Sequence, residues 1–195
     1  MTEHPPLLLA SASPWRLALL RDAGIPCDAL PADVDEAALV AADPVATAAL
    51  RARAKAEAVA RLAPDAWVLG ADQVAHLDGE AFGKPVSPDD HRRRLRQLRG
   101  RTHRLSTAIC LIADGARSER VAHTDLTFRA DLSDDELDAY VATGEGSGCA
   151  GGYRAERLGA QLIARVDGDW SNVIGLPLPE VIGLLRGLGW RPRFA

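Results

Sequence analysis

Lysine is almost absent from this chain. Only Lys55 and Lys84 are lysines, and the remaining 21 of the 23 basic residues are arginines. In an arginine-biased composition, a lysine persists best where a compact ammonium is needed and a planar guanidinium does not fit. Polyphosphate sites often use lysine in this way, as a point charge. The two lysines are therefore the first candidates for an anion site, with chance as the alternative for either one alone.

Other absences exclude several classes of protein. The three cysteines lie far apart and form no CxxC pair, so we expect neither a disulfide framework nor a zinc site. No apolar run approaches the ~18 residues of a membrane span, and residues 1–6 lack the features of a signal peptide. A Walker loop is missing, which excludes P-loop enzymes. Without a membrane span or a signal peptide, we expect a cytoplasmic protein. The net charge of −4 does not favour non-specific binding of nucleic acid or membranes.

Apolar runs and helix-start signals alternate along the chain. Five apolar segments indicate strands: 7–10, 67–71, 105–112, 119–128 and 162–166. Four capping patterns predict helix starts, at 13–14, 43–44, 87–88 and 133–136. This alternation predicts an α/β fold with a mixed β-sheet and flanking helices, in one domain spanning residues 1–195.

Two conspicuous patterns carry less weight. The glycines of segment 146–151 match the spacing GxGxxG, but they follow a predicted helix rather than a strand, so the dinucleotide-binding context is absent. Segment 91–104 is crowded with arginines, like a nucleic-acid patch. Because Leu95 and Leu98 supply an apolar stripe, we interpret it as a solvated helix, with a polyanion surface as the alternative.

Segment 11–16 runs from a predicted strand into a predicted helix. Such a helix start exposes free N–H groups and the positive end of the helix dipole, which suit an anion. Ser11 and Ser13 can add hydroxyl donors to a phosphate, and Arg16 follows on the first turn. The alternative is structural, with Ser13 as a simple cap and Trp15 in the core.

The acidic candidates have equally plain alternatives. The carboxylates of segment 33–36 could hold a divalent cation through oxygen ligands, or could form a solvated loop. Asp72 follows a buried strand, a frequent position for a base or a metal ligand, but it could instead cap a hairpin. Residues 73–77 continue extended to a predicted hairpin turn at 78–79, and Lys84 lies on a tight turn just after that hairpin. Lys55 lies in a helix, where a solvated face is the ordinary explanation.

Seven segments spread over most of the chain: LLLASASPWR (7–16), PADVDE (31–36), RARAKAEAVA (51–60), VLGADQV (68–74), FGKP (82–85), CAGGYRAERLG (149–159) and NVIGLPL (172–178). Together and in this order they resemble the Maf-like family of nucleoside triphosphate pyrophosphatases. The resemblance implies two merged lobes around a cleft, in a Maf/inosine triphosphatase-like fold. It also implies a homodimer, a divalent metal (Mg²⁺ or Mn²⁺), and hydrolysis between the α- and β-phosphates of a nucleotide.

The resemblance assigns roles by position. Asp72 is implied as the catalytic proton acceptor and, with Glu36, as a metal ligand. Arg16, Lys55 and Lys84 are implied as the cations around the phosphates. This agrees with the chemistry, because cations and a metal must neutralise the charge that develops on the leaving diphosphate.

The resemblance also bears on the base. Trp15, Gln73 and Glu156 are similar to the YceF-type branch of the family, which acts on 7-methyl-GTP. N7-methylation makes guanine a cation that can stack on an indole face. The Glu156 carboxylate can accept hydrogen bonds from guanine and would repel the carbonyl edge of thymine or uracil. We therefore expect a house-cleaning 7-methyl-GTP pyrophosphatase.

Two alternatives remain open. Asp169-Trp170-Ser171 is more similar to the sibling branch, which acts on dTTP and UTP. From a different class, the arginines of segment 92–104 could serve a non-catalytic nucleic-acid or division-site binding protein.

Overall fold

The computed structural model describes residues 4–192. Its strands are β1 (Leu7–Leu9), β2 (Asp28–Ala29), β3 (Trp67–Leu77), β4 (Glu80–Phe82), β5 (Thr102–Ala113), β6 (Ala116–Phe128) and β7 (Ile163–Gly168). Its α-helices are α1 (Pro14–Asp22), α2 (Pro44–Leu62), α3 (Pro88–Leu98), α4 (Asp134–Ala142), α5 (Trp170–Ile174) and α6 (Leu178–Gly187). No helix in this part of the chain combines the length and apolar character that a membrane crossing needs.

The seven strands form one mixed sheet in the order β2-β1-β3-β5-β6-β7, with β4 paired to the far end of β3. The predicted α/β class, with a mixed sheet and flanking helices, is confirmed. All four predicted helix starts are also confirmed. In each of them the capping side chain accepts a hydrogen bond from a backbone N–H three residues on, as Asp43 does from Ala46. Strand β2 and helix α5 were not predicted, because two and five residues give too little periodicity.

One edge of β3 is split. Its first residues pair in parallel with β1, ending at Leu69 opposite Leu9. Its last residues pair antiparallel with β4, beginning at Ala75 opposite Phe82. Between these pairings, residues 70–74 have no strand partner on this edge within the described chain, whereas β5 covers the other edge without interruption. The sheet therefore opens a gap beside the middle of β3.

The apolar core divides at the same place. On one face of β3, Leu69 and Ala71 join a cluster with α1 and α6. Farther along the same face, Ala75 and Leu77 join a second cluster with α3 and α4. The opposite face is covered by the alanine-rich side of α2. The middle of β3 thus lies between two packed regions, as expected for merged lobes around a cleft.

Gly70 lets α2 approach β3 closely. A Cβ at this position would lie 2.2 Å from the carbonyl oxygen of Ala52 and 2.8 Å from the nitrogen of Ala56. Real Cβ atoms do not approach backbone this closely, so only glycine fits here without moving the helix. The close approach brings the Lys55 side chain of α2 onto the middle of β3.

The arginine-rich segment 91–104 forms α3 and the start of β5. Leu95 and Leu98 are fully buried, which agrees with a helix that has one apolar face. The five arginines of 92–99 pair with aspartates in this arrangement: Arg92 with Asp89 and Asp138, Arg93 and Arg94 with Asp90, and Arg96 and Arg99 with Asp134. These cations join α3 to α4 and to its own first turn, and so have counterions already.

Candidate active site

A lysine and two carboxylates converge beside the split edge of β3. The Nζ of Lys55 donates to Oδ1 of Asp72 at 2.8 Å and lies 3.0 Å from Oε2 of Glu36. The side chains of Lys55 and Asp72 are only 8% and 11% exposed, whereas that of Glu36 is 49% exposed. Lys55 therefore does not lie on a solvated face, which was the ordinary expectation for its helix.

Asp72 lies in the middle of β3, not at the end of a strand, and it caps no hairpin. The sequence suggested a strand end because the apolar run stops at Ala71, but the backbone pairing with β5 continues to His76. Only one of its carboxylate oxygens is engaged by a described residue, since Oδ2 has no hydrogen-bond donor within residues 4–192. One oxygen is thus anchored and the other is available for a proton.

Arg16 lies next to this cluster, on the first turn of α1. Its Nη1 donates to the carbonyl oxygen of Ala71 at 2.9 Å, and its Nε donates to that of Gly175 at 2.8 Å. Burial lowers the pKa of Arg16, and the carboxylates of Asp72 and Glu36 oppose that shift. A guanidinium stays charged in proteins, so this cation is held beside Asp72 by neutral oxygens.

Ser11 and Ser13 serve the local structure of the helix start. The Ser13 hydroxyl caps α1 by accepting from the nitrogen of Arg16 at 3.4 Å. The Ser11 hydroxyl accepts from the nitrogen of Ser13 at 3.2 Å and from Nη1 of Arg16 at 3.3 Å. Both therefore orient Arg16, and a direct contact of either with phosphate stays a prediction.

The structure does not bring Lys84 into contact with the cluster. It is exposed in the turn between β4 and α3, and it makes no ion pair within the described residues. Burial raises the pKa of the Cys149 thiol, and the positive charges of Arg154 and Lys84 oppose that effect. Lys84 therefore lies on the bank of the cleft that carries segment 149–156.

The amide of Gln73 is oriented by its neighbours. Its Nε2 donates to the carbonyl oxygen of Asn172 at 2.5 Å and to Oγ1 of Thr107 at 3.0 Å. Because a backbone carbonyl can only accept, the amide nitrogen must face Asn172. The carbonyl oxygen of Gln73 has no donor within residues 4–192, so this side chain offers a ligand an acceptor.

Trp15 and Glu156, which the resemblance placed around the base, are joined by Arg154. The guanidinium carbon of Arg154 lies 3.9 Å from the centre of the Trp15 ring. The same guanidinium donates from Nε to Oε1 of Glu156 at 2.9 Å, with Nη2 at 2.8 Å from that oxygen. Sequence reasoning missed Arg154, because its contact with Trp15 joins distant parts of the chain.

The segment that carries Arg154 is firmly anchored. His91 bonds the carbonyl oxygen of Gly152, and the Tyr153 hydroxyl lies 2.6 Å from Nε2 of His103. The nitrogen of Arg154 donates to the Tyr140 hydroxyl at 3.0 Å. Two of the histidines, to which the sequence assigned no role, thus fix one bank of the cleft.

The donor set suits a hard divalent cation that is completed by substrate. Within residues 4–192, no group of three or more His, Cys, Asp or Glu side chains could hold a metal by itself. Glu36 and Asp72 nevertheless lie close to each other, since one oxygen of each lies within 3.0 Å of the Lys55 ammonium, and Oδ2 of Asp72 has no donor within residues 4–192. Mg²⁺ is commonly bound by one or two carboxylates together with substrate phosphates and water.

Comparisons with known proteins place the chain in a family. The profile described as "Maf-like protein" matches residues 6–188. The chain belongs to the Maf-like family. In this Maf-like protein, the matched region includes the lysine–carboxylate cluster and the split edge of β3. It also includes the contacts of Arg154 with Trp15 and Glu156.

Relatives of this Maf-like protein carry enzyme names. A Thermus thermophilus protein named dTTP/UTP pyrophosphatase is 45% identical over 96% of this chain and 97% of its own. One of the same name from Rhodopseudomonas palustris is 42% identical over 100% and 97%. A Synechococcus protein named nucleoside triphosphate pyrophosphatase is 43% identical over 95% of both. Among solved structures, protein VC0702 from Vibrio cholerae aligns over 95% of this chain and 94% of that chain, with a TM-score of 0.46 and 13% identity.

Proposed function

We propose that this Maf-like protein is a nucleoside triphosphate pyrophosphatase that prefers dTTP and UTP. It would hydrolyse the bond between the α- and β-phosphates and release diphosphate and a nucleoside monophosphate. The observation that carries the proposal is the cluster of Lys55, Asp72 and Glu36 beside the open edge of β3, with Arg16 next to it.

Each residue of the cluster has a task in this reaction. Asp72 keeps Oδ1 on Lys55 and offers Oδ2 to a water that attacks the α-phosphorus, acting as general base. Arg16, held by carbonyl oxygens, can turn toward negative oxygens without first leaving a carboxylate. Lys84, exposed on the opposite bank, supplies a second cation for the diphosphate. Preorganised cations of this kind stabilise charge that develops in the transition state.

A divalent cation, Mg²⁺ or Mn²⁺, is part of the proposal. Glu36 and Asp72 would hold it together with the phosphates, and when bound it would neutralise charge on the leaving diphosphate. Hydrolysis measured with a chelator and then with each metal tests this requirement. Full activity in the chelator would remove the metal from the proposal.

The choice of base rests on two observations. The relatives named above favour dTTP and UTP, and Arg154 already occupies the Trp15 face and the Glu156 carboxylate. The paired carboxylate no longer repels the carbonyl edge of thymine or uracil, which was the expected obstacle. The carbonyl oxygen of Gln73 can accept from the N3–H of either base. The second candidate, 7-methyl-GTP, is favoured by the presence of Trp15 and Glu156 themselves.

A substrate panel tests the reaction and the base together. Purified protein is incubated with dTTP, UTP, CTP, GTP and 7-methyl-GTP in Mg²⁺ or Mn²⁺, and diphosphate release is measured. We expect the highest kcat/KM for dTTP and UTP. Faster turnover of 7-methyl-GTP would reverse the base assignment, and diphosphate release from no triphosphate would reject the enzyme.

A homodimer and a cytoplasmic location remain proposals from the resemblance. Sedimentation of the purified chain tests the first, and fractionation of cells tests the second. A nucleic-acid or division-site role has little support, because the arginines of α3 are paired with aspartates.

A further inference from the structure

Arg154 contacts both side chains that the resemblance places around the base, Trp15 and Glu156. A 7-methylguanine ring would stack its positive charge on the Trp15 indole and direct its N–H groups to the Glu156 carboxylate. The Arg154 guanidinium already makes both contacts, at 3.9 Å from the ring centre and at 2.8 and 2.9 Å from Oε1 of Glu156. The Arg154 guanidinium is thus a planar cation that makes the same two contacts that we expect of a 7-methylguanine ring.

The contact is built into the fold. The Arg154 side chain is 14% exposed and that of Glu156 is 24% exposed. The backbone of Arg154 is held by the Tyr140 hydroxyl, and its neighbour Tyr153 is buried against His103. An exposed surface arginine would lose rotamer freedom on stacking, whereas this one is already restrained.

The contact also bridges the two banks of the cleft. Trp15 lies beside Arg16, which bonds Ala71 of β3. Arg154 follows Gly151, whose Cβ position lies 3.4 Å from Ala75. Arg154 therefore reaches across the open edge of β3 between these two points.

We propose that Arg154 is a specificity-determining residue that blocks the Trp15–Glu156 subsite against cationic purines and favours neutral bases with a carbonyl edge. A cationic base would have to displace Arg154 from Glu156 and would then lie beside a second positive charge. Thymine and uracil carry carbonyl oxygens, and the guanidinium has N–H donors left after its two contacts with Glu156. This inference rests on the proposed pyrophosphatase function and deepens it.

The test measures selectivity in Arg154 variants. Arg154→Gln removes the cation and keeps a side chain of similar length, and Arg154→Ala is the second variant. We expect the ratio of kcat/KM for 7-methyl-GTP over UTP to rise about tenfold in both, as the release of a cation–π contact and its ion pair allows. Arg154→Lys keeps a cation and should restore most of the block. Arg157→Ala removes an exposed arginine from the same segment and should leave the ratio unchanged.

A binding measurement separates this inference from the proposed function. Affinity for 7-methyl-GMP, measured by titration calorimetry, should rise in Arg154→Gln, and the added substitution Trp15→Ala should abolish the gain. If the wild type hydrolyses no triphosphate, the proposed function fails. The binding measurement would still show whether Arg154 excludes a cationic purine from the Trp15–Glu156 subsite. An unchanged ratio and an unchanged affinity in a folded Arg154→Gln variant overturn the inference, as does an equal change in Arg157→Ala.

Discussion

Helix α3 and the cleft beside β3 both carry positive charge, and they differ in what balances it. Every arginine between 92 and 99 has an aspartate partner. In the cleft, Arg16 is held by carbonyl and hydroxyl oxygens, and Lys84 has no ion pair within the described residues. Among these three cations only Lys55 has carboxylate partners within the described residues, and it holds Asp72 in place. Arg154, on the opposite bank, is paired with Glu156.

The number of cations in a segment is therefore a poor guide to an anion site. A cation that already has its counterion offers a phosphate little, because binding would first have to break that pair. The arginine-dense stretch therefore connects two helices, and the cleft, with fewer cations, is the proposed site for the triphosphate. In the sequence, the two lysines indicated the cleft, whereas the dense arginines indicated α3.

We expect the largest effect from removal of the proposed general base, Asp72. In Asp72→Asn the side chain keeps its shape but cannot accept the proton of water. We expect kcat for UTP to fall by about 10²–10⁴-fold, the usual contribution of general base catalysis. Diphosphate release and nucleotide binding are measured in parallel, and binding should survive.

Asp125→Asn is the matched control for that change. Asp125 pairs with Arg104 on the β5–β6 surface and lies outside the cleft. Activity should stay near the wild-type value in this variant. Equal losses in the two variants would show that Asp72 acts through stability alone, and full activity in Asp72→Asn would remove it from the mechanism.

The need for an ammonium is tested by Lys55→Arg. The guanidinium keeps the charge but is too wide for a side chain buried between α2 and β3, so it should displace Asp72. We expect a fall in kcat/KM of about 10²-fold, as for loss of one preorganised electrostatic contact. Arg53→Lys, on the same helix and facing Glu119, should change activity little. Retained activity in Lys55→Arg would refute the argument from lysine scarcity.

The close approach of α2 is tested by Gly70→Ala. The added methyl group would meet the backbone of Ala52 and Ala56, so α2 and Lys55 should shift away from Asp72. We expect a loss of about 1–3 kcal/mol in the free energy of unfolding, the usual cost of overpacking, with a several-fold fall in activity. Urea unfolding measures the first quantity. Gly83→Ala, where a Cβ meets nothing within 4 Å, should be neutral.

Local signals in the sequence were sufficient for much of the fold. The caps at Ser13, Asp43, Ser87 and Ser133 depend on neighbours three residues away, so the sequence contains the whole signal. The buried strand that leads into Asp72 followed from the apolar run of residues 67–71. The place of Asp72 within that strand did not, because pairing with β5 is a long-range property.

The surroundings of Trp15, Gln73 and Glu156, the residues expected around the nucleobase, could not be predicted in the same way. Arg154 meets Trp15 only after the chain has folded both banks of the cleft around β3. The orientation of Gln73 depends on Asn172, which lies in a helix too short to predict. Residue types alone therefore favoured a cationic base, and the proposal of neutral bases depends on contacts that form only in the folded chain.

We expect the smallest effect from a change to the ion pairs of α3. Asp134 holds both Arg96 and Arg99, so Asp134→Asn should free two cations without altering any arginine. Asp135 lies next to it on the same turn of α4 and makes no ion pair within the described residues, so Asp135→Asn is a control of equal charge. Exposed ion pairs contribute little to stability, so both variants should stay folded.

Heparin is the probe, because it is a polyanion without sequence or base. Asp134→Asn should elute from a heparin column at higher salt than Asp135→Asn, although the two proteins have the same net charge. That difference would show that paired counterions, and not a lack of arginine, keep α3 from binding polyanions. Equal elution of the two variants, or strong retention of the wild type, would contradict the contrast between α3 and the cleft.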